Sequence, residues 1–242
     1  MEAARIGSTL EQLAEFLATR DYGEVEVLVV IADSPDGTRI LAAAKADLFS
    51  HFRIIDAGPR VGKGRDVRLG IYEAQGDYKV FMDADLATPL PHLDQVVSLA
   101  GNGTKVGIAV RQLGSVNKGL VRRFISNFGN VLAQVILLPG IKDTQCGFKF
   151  FEDKAAEELF GRMSIMGWGF DLEILALARK LGYAVAIIPA PDWTDPKASD
   201  EGFVGDSAMG AAIQVFRDLL RVRWNLIRGR YARITYIHRA IY

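Results

Sequence analysis

Apolar and polar positions alternate between two periods along this chain, and the switches between them predict the order of its elements. Leu10, Leu13, Phe16 and Leu17 recur at helical spacing. Ser8-Thr9-Leu10-Glu11 has the order of a capping box, so the first element is expected to be a helix starting there. Val25 to Ile31 is a nearly continuous β-branched and apolar run, the pattern of a strand covered on both faces in a parallel sheet. Asp33-Ser34-Pro35-Asp36-Gly37 breaks it. An alanine-rich helix over 38–48, a short strand over 52–55, a glycine-rich loop, a helix over 65–74 and a strand ending at Met82 follow. Strands and helices alternating at this spacing predict an open α/β sheet, with ligands outside the carboxyl ends of its strands.

Beyond Met82 the pattern is less regular. A strand is expected over 106–110, ending in Arg111, then a helix over 121–137 closed by Pro139-Gly140. A helix over 170–181 and a strand over 184–188 come next. Residues 189–205, rich in Pro, Asp, Ser and Gly, read as a long loop. The division expected is one domain over 1–205 and a basic amphipathic helical segment over 206–242, read either as a membrane-facing surface or as a packed helix with a solvated basic face.

Composition narrows the classes. With 242 residues, half of them apolar, the chain can bury a sizeable core. Its 29 basic and 29 acidic side chains cancel, so nothing global calls for nucleic acid. The balance is uneven, because the 26 residues from Arg217 hold seven arginines and one acidic residue, Asp218, among leucines, Trp224 and tyrosines. The single Cys146 excludes an internal disulfide and suits a small packed residue better than a nucleophile. No apolar run approaches the roughly 20 residues that span a bilayer. A cytoplasmic protein, peripheral at the cytoplasmic face of the membrane, is expected.

The candidate chemistry centres on Val80-Phe81-Met82-Asp83-Ala84-Asp85, where an apolar run delivers two aspartates to the end of a strand. Paired carboxylates there suit Mg²⁺ or Mn²⁺ shared with the phosphates of a substrate. The competing reading is a pair of solvated turn residues. Gly62-Lys63-Gly64 places a lysine among glycines. Gly58 to Lys63 is one residue too short for a Walker loop, and Gly64 stands where that motif has Ser or Thr. His51, His92 and His238 form no metal-binding spacing.

Several ordered motifs together carry a resemblance. They are Asp33-Ser34-Pro35-Asp36-Gly37-Thr38, Gly62-Lys63-Gly64, Asp83-Ala84-Asp85, Asp143-Thr144-Gln145-Cys146-Gly147-Phe148-Lys149 and Trp168-Gly169-Phe170-Asp171-Leu172-Glu173. Over roughly residues 2–231 the chain resembles the family-2 inverting glycosyltransferases of GT-A fold, most of all the branch that makes dolichyl- or polyprenyl-phosphate sugars. The resemblance implies an open mixed sheet flanked by helices. Two departures stand out. The family's first strand is expected to be absent, since the chain starts near the end of the Pro-Ala-Tyr-Asn-Glu-like segment that closes it. Ala32 also replaces the first of two aspartates usual before the Ser-x-Asp turn.

The resemblance further implies metal-dependent transfer of a hexose from UDP-glucose or GDP-mannose to a polyprenyl phosphate. Asp83 and Asp85 would hold the metal, and Asp171 would be an orienting catalytic residue. Asp33, Asp36, Lys63, Asp83 and Trp168 would bind the donor. Arg111, Arg122, Ser126 and Lys197 would take the acceptor phosphate, with Arg123 evenly balanced against an ordinary basic helix face. Asp143, Gln145, Lys149 and Glu173 would lie on the acceptor side. Glucose is favoured because the Asp143 to Lys149 block, with Trp193 and Lys197, resembles the glucosyl branch. A soluble acceptor, a nucleotidyltransferase and a noncatalytic sugar-nucleotide-binding protein are the rivals.

Overall fold

The computed structural model describes residues 2–111, 134, 137–141, 143–194 and 206–232. Helix α1 (Ile6–Ala18) leads to strand β1 (Glu26–Ala32), helix α2 (Thr38–Ala43), β2 (His51–Gly58), α3 (Lys63–Glu73) and β3 (Tyr78–Met82). Then come α4 (His92–Gly101), β4 (Val106–Arg111), β5 (Phe148–Glu152), α5 (Asp153–Arg162), α6 (Phe170–Lys180), β6 (Val185–Ala190) and α7 (Asp206–Ile227). Short 3-10 turns occupy Ala46–Leu48 and Arg230–Ala232. The helix expected over 121–137, with Arg122, Arg123 and Ser126, falls almost wholly outside the described residues, and so does Lys197.

The strands form two sheets. β1 and β2 pair in parallel, Val27 opposite Phe52 and Val30 opposite Ile55. The larger sheet has the order β3-β5-β4-β6, with β5 antiparallel to both of its neighbours and β4 parallel to β6. It is therefore a mixed sheet, as expected. β4 and β5 lie at its centre, and Ile108, Phe148 and Phe150 are fully buried. Each such side chain contributes roughly 1.5–3 kcal/mol by leaving water. Helix α6 runs through the core, with every residue from Phe170 to Ala178 buried.

Two expectations are corrected. The β1 run is parallel but not covered on both faces: only Ile31 is buried and the other strand residues are half-exposed. Among the described residues β1 pairs with β2 alone and β3 with β5 alone, so an edge of each stays unpaired. The Ser8-Thr9-Leu10-Glu11 box does not cap α1 either. The helix begins two residues earlier, at Ile6, without a side-chain cap on Arg5. Thr9 is needed elsewhere, because its hydroxyl donates to the carbonyl of Ala84, 2.7 Å away, between the two aspartates.

Candidate active site

The β3 strand ends at Met82 and hands Asp83 to a tight turn. The Asp83 amide donates to the Gly147 carbonyl at 3.0 Å, extending the β3–β5 pairing by one step past the strand. Gly147 also makes room for the carboxylate, since a Cβ there would lie 1.9 Å from Asp83 Oδ2. Asp85 Oδ1 accepts from the Ala87 amide at 3.1 Å, and Leu86 between them adopts φ 51°, a left-handed conformation. That geometry costs a leucine about 1–2 kcal/mol. The chain is thus bent at this point against its own preference, held by Thr9, Gly147 and Asp85.

Lys63, the first residue of α3, reaches Asp83 Oδ1 at 2.7 Å. Its ammonium also lies 5.3 Å from the centre of the Phe81 ring and 5.2 Å from that of Trp168. The indole is 62% exposed, so an apolar face stands open beside a cation and a carboxylate. The Arg65 amide donates to the Met166 carbonyl at 3.1 Å, which joins the start of α3 to the loop that carries Trp168. Three segments distant in sequence, at 62–65, 83–85 and 166–168, therefore meet.

Beneath this cluster lies a second ion pair. Lys149 Nζ is 2.6 Å from Asp171 Oδ1, and both side chains are buried. Lys149 also donates to the Cys146 carbonyl at 2.6 Å and lies 5.7 Å from the centre of the Phe81 ring. Phe81 thus lies near two lysines, each with its own aspartate. Burial pushes the Asp171 carboxyl up, against the pull of Lys149 and Lys63, while Asp83 adds to the rise.

The remaining predicted residues divide. Asp33 is exposed at the end of β1, its carbonyl accepting from Arg60 Nε at 2.9 Å, and is open to a ligand. Gln145 is exposed as well. Asp36 holds its own loop together: Oδ1 accepts from the Ser34 and Thr38 hydroxyls at 2.6 and 2.7 Å, and Oδ2 from the Ala3 amide at 3.2 Å. Those donors keep its carboxyl well below the usual range. Asp143 is fully buried and is gripped by both ends of the Arg111 fork, at 2.5 and 2.8 Å. The Arg111 guanidinium lies 4.9 Å from the centre of the Trp193 ring.

Three positions depart from their expected use. Glu173 is fully buried and accepts from the Ser164 amide and hydroxyl, the Ile165 amide and the Tyr231 hydroxyl, all within 2.8 Å. It braces the protein rather than meeting an acceptor. Asp171 and Lys149 pair as ions below the surface and both are buried, so neither presents an edge to a sugar. Cys146 is buried beside Thr88, and burial raises its thiol, as befits a packed residue. Sequence reading missed Thr9 and Phe81 as supports, because their partners are remote in the chain; the glycine of Cys146-Gly147-Phe148 was the one signal at hand.

The family model described as "Glycosyl transferase family 2" matches residues 1–160. A dolichyl-phosphate beta-glucosyltransferase from Dictyostelium discoideum is 30% identical over 244 residues, covering 94% of this chain and 72% of that protein. Among solved structures, glucosyl-3-phosphoglycerate synthase from Mycobacterium tuberculosis, in complex with Mn²⁺, UDP-Glc and phosphoglyceric acid, has a TM-score of 0.66. It is 21% identical, over 92% of this chain and 76% of that one. Mannosyl-3-phosphoglycerate synthase from Rubrobacter xylanophilus has a TM-score of 0.69 at 20% identity, over 95% and 72%. The fold is that of the GT-A enzymes, and with its family model spanning most of its length, this chain belongs to glycosyl transferase family 2.

Proposed function

We propose that this protein transfers a hexose, with inversion, from a nucleotide-diphosphate sugar to a polyprenyl phosphate at a membrane surface. The single observation that carries the reading is the braced Asp83-Ala84-Asp85 turn facing Lys63 and an open indole. The most similar relative described above, a dolichyl-phosphate beta-glucosyltransferase, supports this acceptor and favours glucose over mannose.

A divalent ion suits the residues present. Asp83 and Asp85 offer oxygen ligands only, and among the described residues no group of three acidic, histidine or cysteine side chains could hold a metal by itself. Such a set fits an ion that shares its coordination with a diphosphate, which Mg²⁺ does readily. The solved relative that carries Mn²⁺ with UDP-Glc supports the same choice. When bound, the ion offsets charge that builds on the departing nucleotide diphosphate.

The chain's own residues supply the rest. Lys63, which neutralises Asp83 in the free protein, stands ready to meet the diphosphate; Asp33 contacts the nucleoside, and Trp168 offers its face to the sugar. Arg111, Arg122, Ser126 and Lys197 receive the acceptor phosphate, and Gln145, which is exposed, serves the acceptor side. A monoalkyl phosphate has a second pKa near about 6, so its oxygen is already anionic at neutral pH and attacks without a strong general base. Replacing Asp85 by Ala should abolish metal-dependent transfer and leave the fold intact. Full metal-dependent transfer by that variant would remove the assignment.

A further inference from the structure

Helix α7 has two apolar faces, and the core uses only one. Leu219 and Val222 are buried, and Asp218 and Asn225 lie buried beside them. On the other side Ile213, Phe216, Leu220, Trp224 and Ile227 are between 45% and 65% exposed. Their spacing of three, four, four and three residues puts them on one stripe. At 3.6 residues per turn they fall within an arc of about 80°, opposite the packed face. Isolated exposed apolar residues are ordinary, but a continuous stripe of five marks an interaction surface.

The charges beside the stripe identify the partner. Arg217 and Arg221 flank it on one side and Arg223 on the other, all exposed, and the Arg228 guanidinium lies 4.3 Å from the centre of the Trp224 ring. From 213 to 232 the only acidic residue is Asp218, which is 3% exposed and accepts from Gln214. The outward face is therefore apolar along its middle and purely cationic along its borders. A second copy of the same face would set arginine against arginine. A bilayer with anionic headgroups meets both features at once: the stripe enters the acyl boundary, and the arginines lie along it with their heads at the phosphates.

We propose that the outward face of α7 docks this protein onto anionic phospholipid bilayers. The packed face makes the docking useful, because Asp218 fills the space over Gly169, where a Cβ would lie 2.4 Å from Asp218 Oδ2. Gly169 follows Trp168, and Tyr231, just past α7, donates to Glu173 in α6. The helix that meets the lipid is thus fixed to the wall of the site, and docking sets the height of the site above the membrane. The inference rests on α7 itself and not on the acceptor assigned above.

The probe is vesicles of phosphatidylcholine, with or without phosphatidylglycerol, lacking polyprenyl phosphate, donor and metal. The full chain should sediment with phosphatidylglycerol vesicles, less so as salt rises, with a blue shift of tryptophan fluorescence that Trp224→Phe removes. Phe216→Glu with Leu220→Glu should lower partitioning by about tenfold or more. Arg217, Arg221, Arg223 and Arg228 changed together to Gln should erase the preference for anionic lipid. Both variants should keep the wild-type circular dichroism, since all six positions are exposed. Wild-type protein that ignores both kinds of vesicle, or a Phe216/Leu220 variant that binds as well as wild type, overturns the proposal. So does loss of a dimer in that variant with vesicle binding unchanged, which would make the stripe a self-interface. Vesicle binding without any sugar transfer would leave this inference standing and sink the proposed reaction instead.

Discussion

Gly147 and Asp83 are fitted to each other twice over: the glycine carbonyl accepts the aspartate amide at 3.0 Å, and the glycine's missing side chain is the space the carboxylate occupies. Gly147→Ala puts a methyl group into that carboxylate. Overpacking of this kind costs roughly 1–3 kcal/mol, and here the group that must yield is the proposed metal ligand. Affinity for Mn²⁺ with UDP should fall roughly five- to a hundredfold, with circular dichroism unchanged. Titration calorimetry checks this, and unchanged affinity would show that Asp83 is free to move.

Thr9 supports the same turn through the Ala84 carbonyl. Thr9→Val keeps the shape and removes the donor, leaving a part-buried carbonyl unpaired. The loss is about 0.5–1.5 kcal/mol, expected as a severalfold rise in KM for the donor and a small fall in the urea midpoint. A fall in the midpoint with no change in KM would give Thr9 a purely structural part.

Lys149 and Asp171 form a buried pair, and such pairs are costly to break on one side. Lys149→Met leaves the Asp171 carboxylate buried without its cation, and should destabilise the protein by about 3–5 kcal/mol. Adding Asp171→Leu should recover much of that loss. Urea unfolding of the two variants decides it. A single variant as stable as wild type would mean that water reaches the pair.

Asp36 provides a pH test. Its carboxyl titrates lower in the folded protein than in the unfolded chain, so its contribution is fully present above the ordinary value of about 3.9. That contribution fades as pH falls through the lower, folded value. Asp36→Asn should therefore be less stable than wild type at neutral pH, and the gap should narrow as the solution is acidified. A gap that stays constant from neutral to strongly acidic solution would contradict the assignment.

The legible parts of the fold were those written locally. The β-branched run of β1, the apolar ending of β3 and the helix from Phe170 each announce themselves within a few residues. Helices α4 and α5 do not: α4 follows two prolines in a loop-like stretch, and α5 grows directly out of β5 without a break. β5 itself is masked by Lys149, a charge in the centre of the sheet that becomes intelligible only beside Asp171, 22 residues later. Glu173 was misread for the same reason. Its four donors come from 164, 165 and 231, and nothing near it in the sequence shows them. The paired aspartates were legible as chemistry, whereas Thr9 and Gly147, which hold their turn, and Phe81, which lies beside Lys63, belong to tertiary structure.

The central claim is the reaction, and transfer from radiolabelled UDP-glucose and GDP-mannose tests it most directly. Polyprenyl phosphate and 3-phosphoglycerate would be offered as acceptors, each with Mn²⁺ or Mg²⁺ and again with EDTA. The expected result is a labelled lipid product from UDP-glucose, dependent on the metal and absent in Asp85→Ala. Label appearing only in 3-phosphoglycerate, or lipid product undiminished by EDTA, would contradict the account.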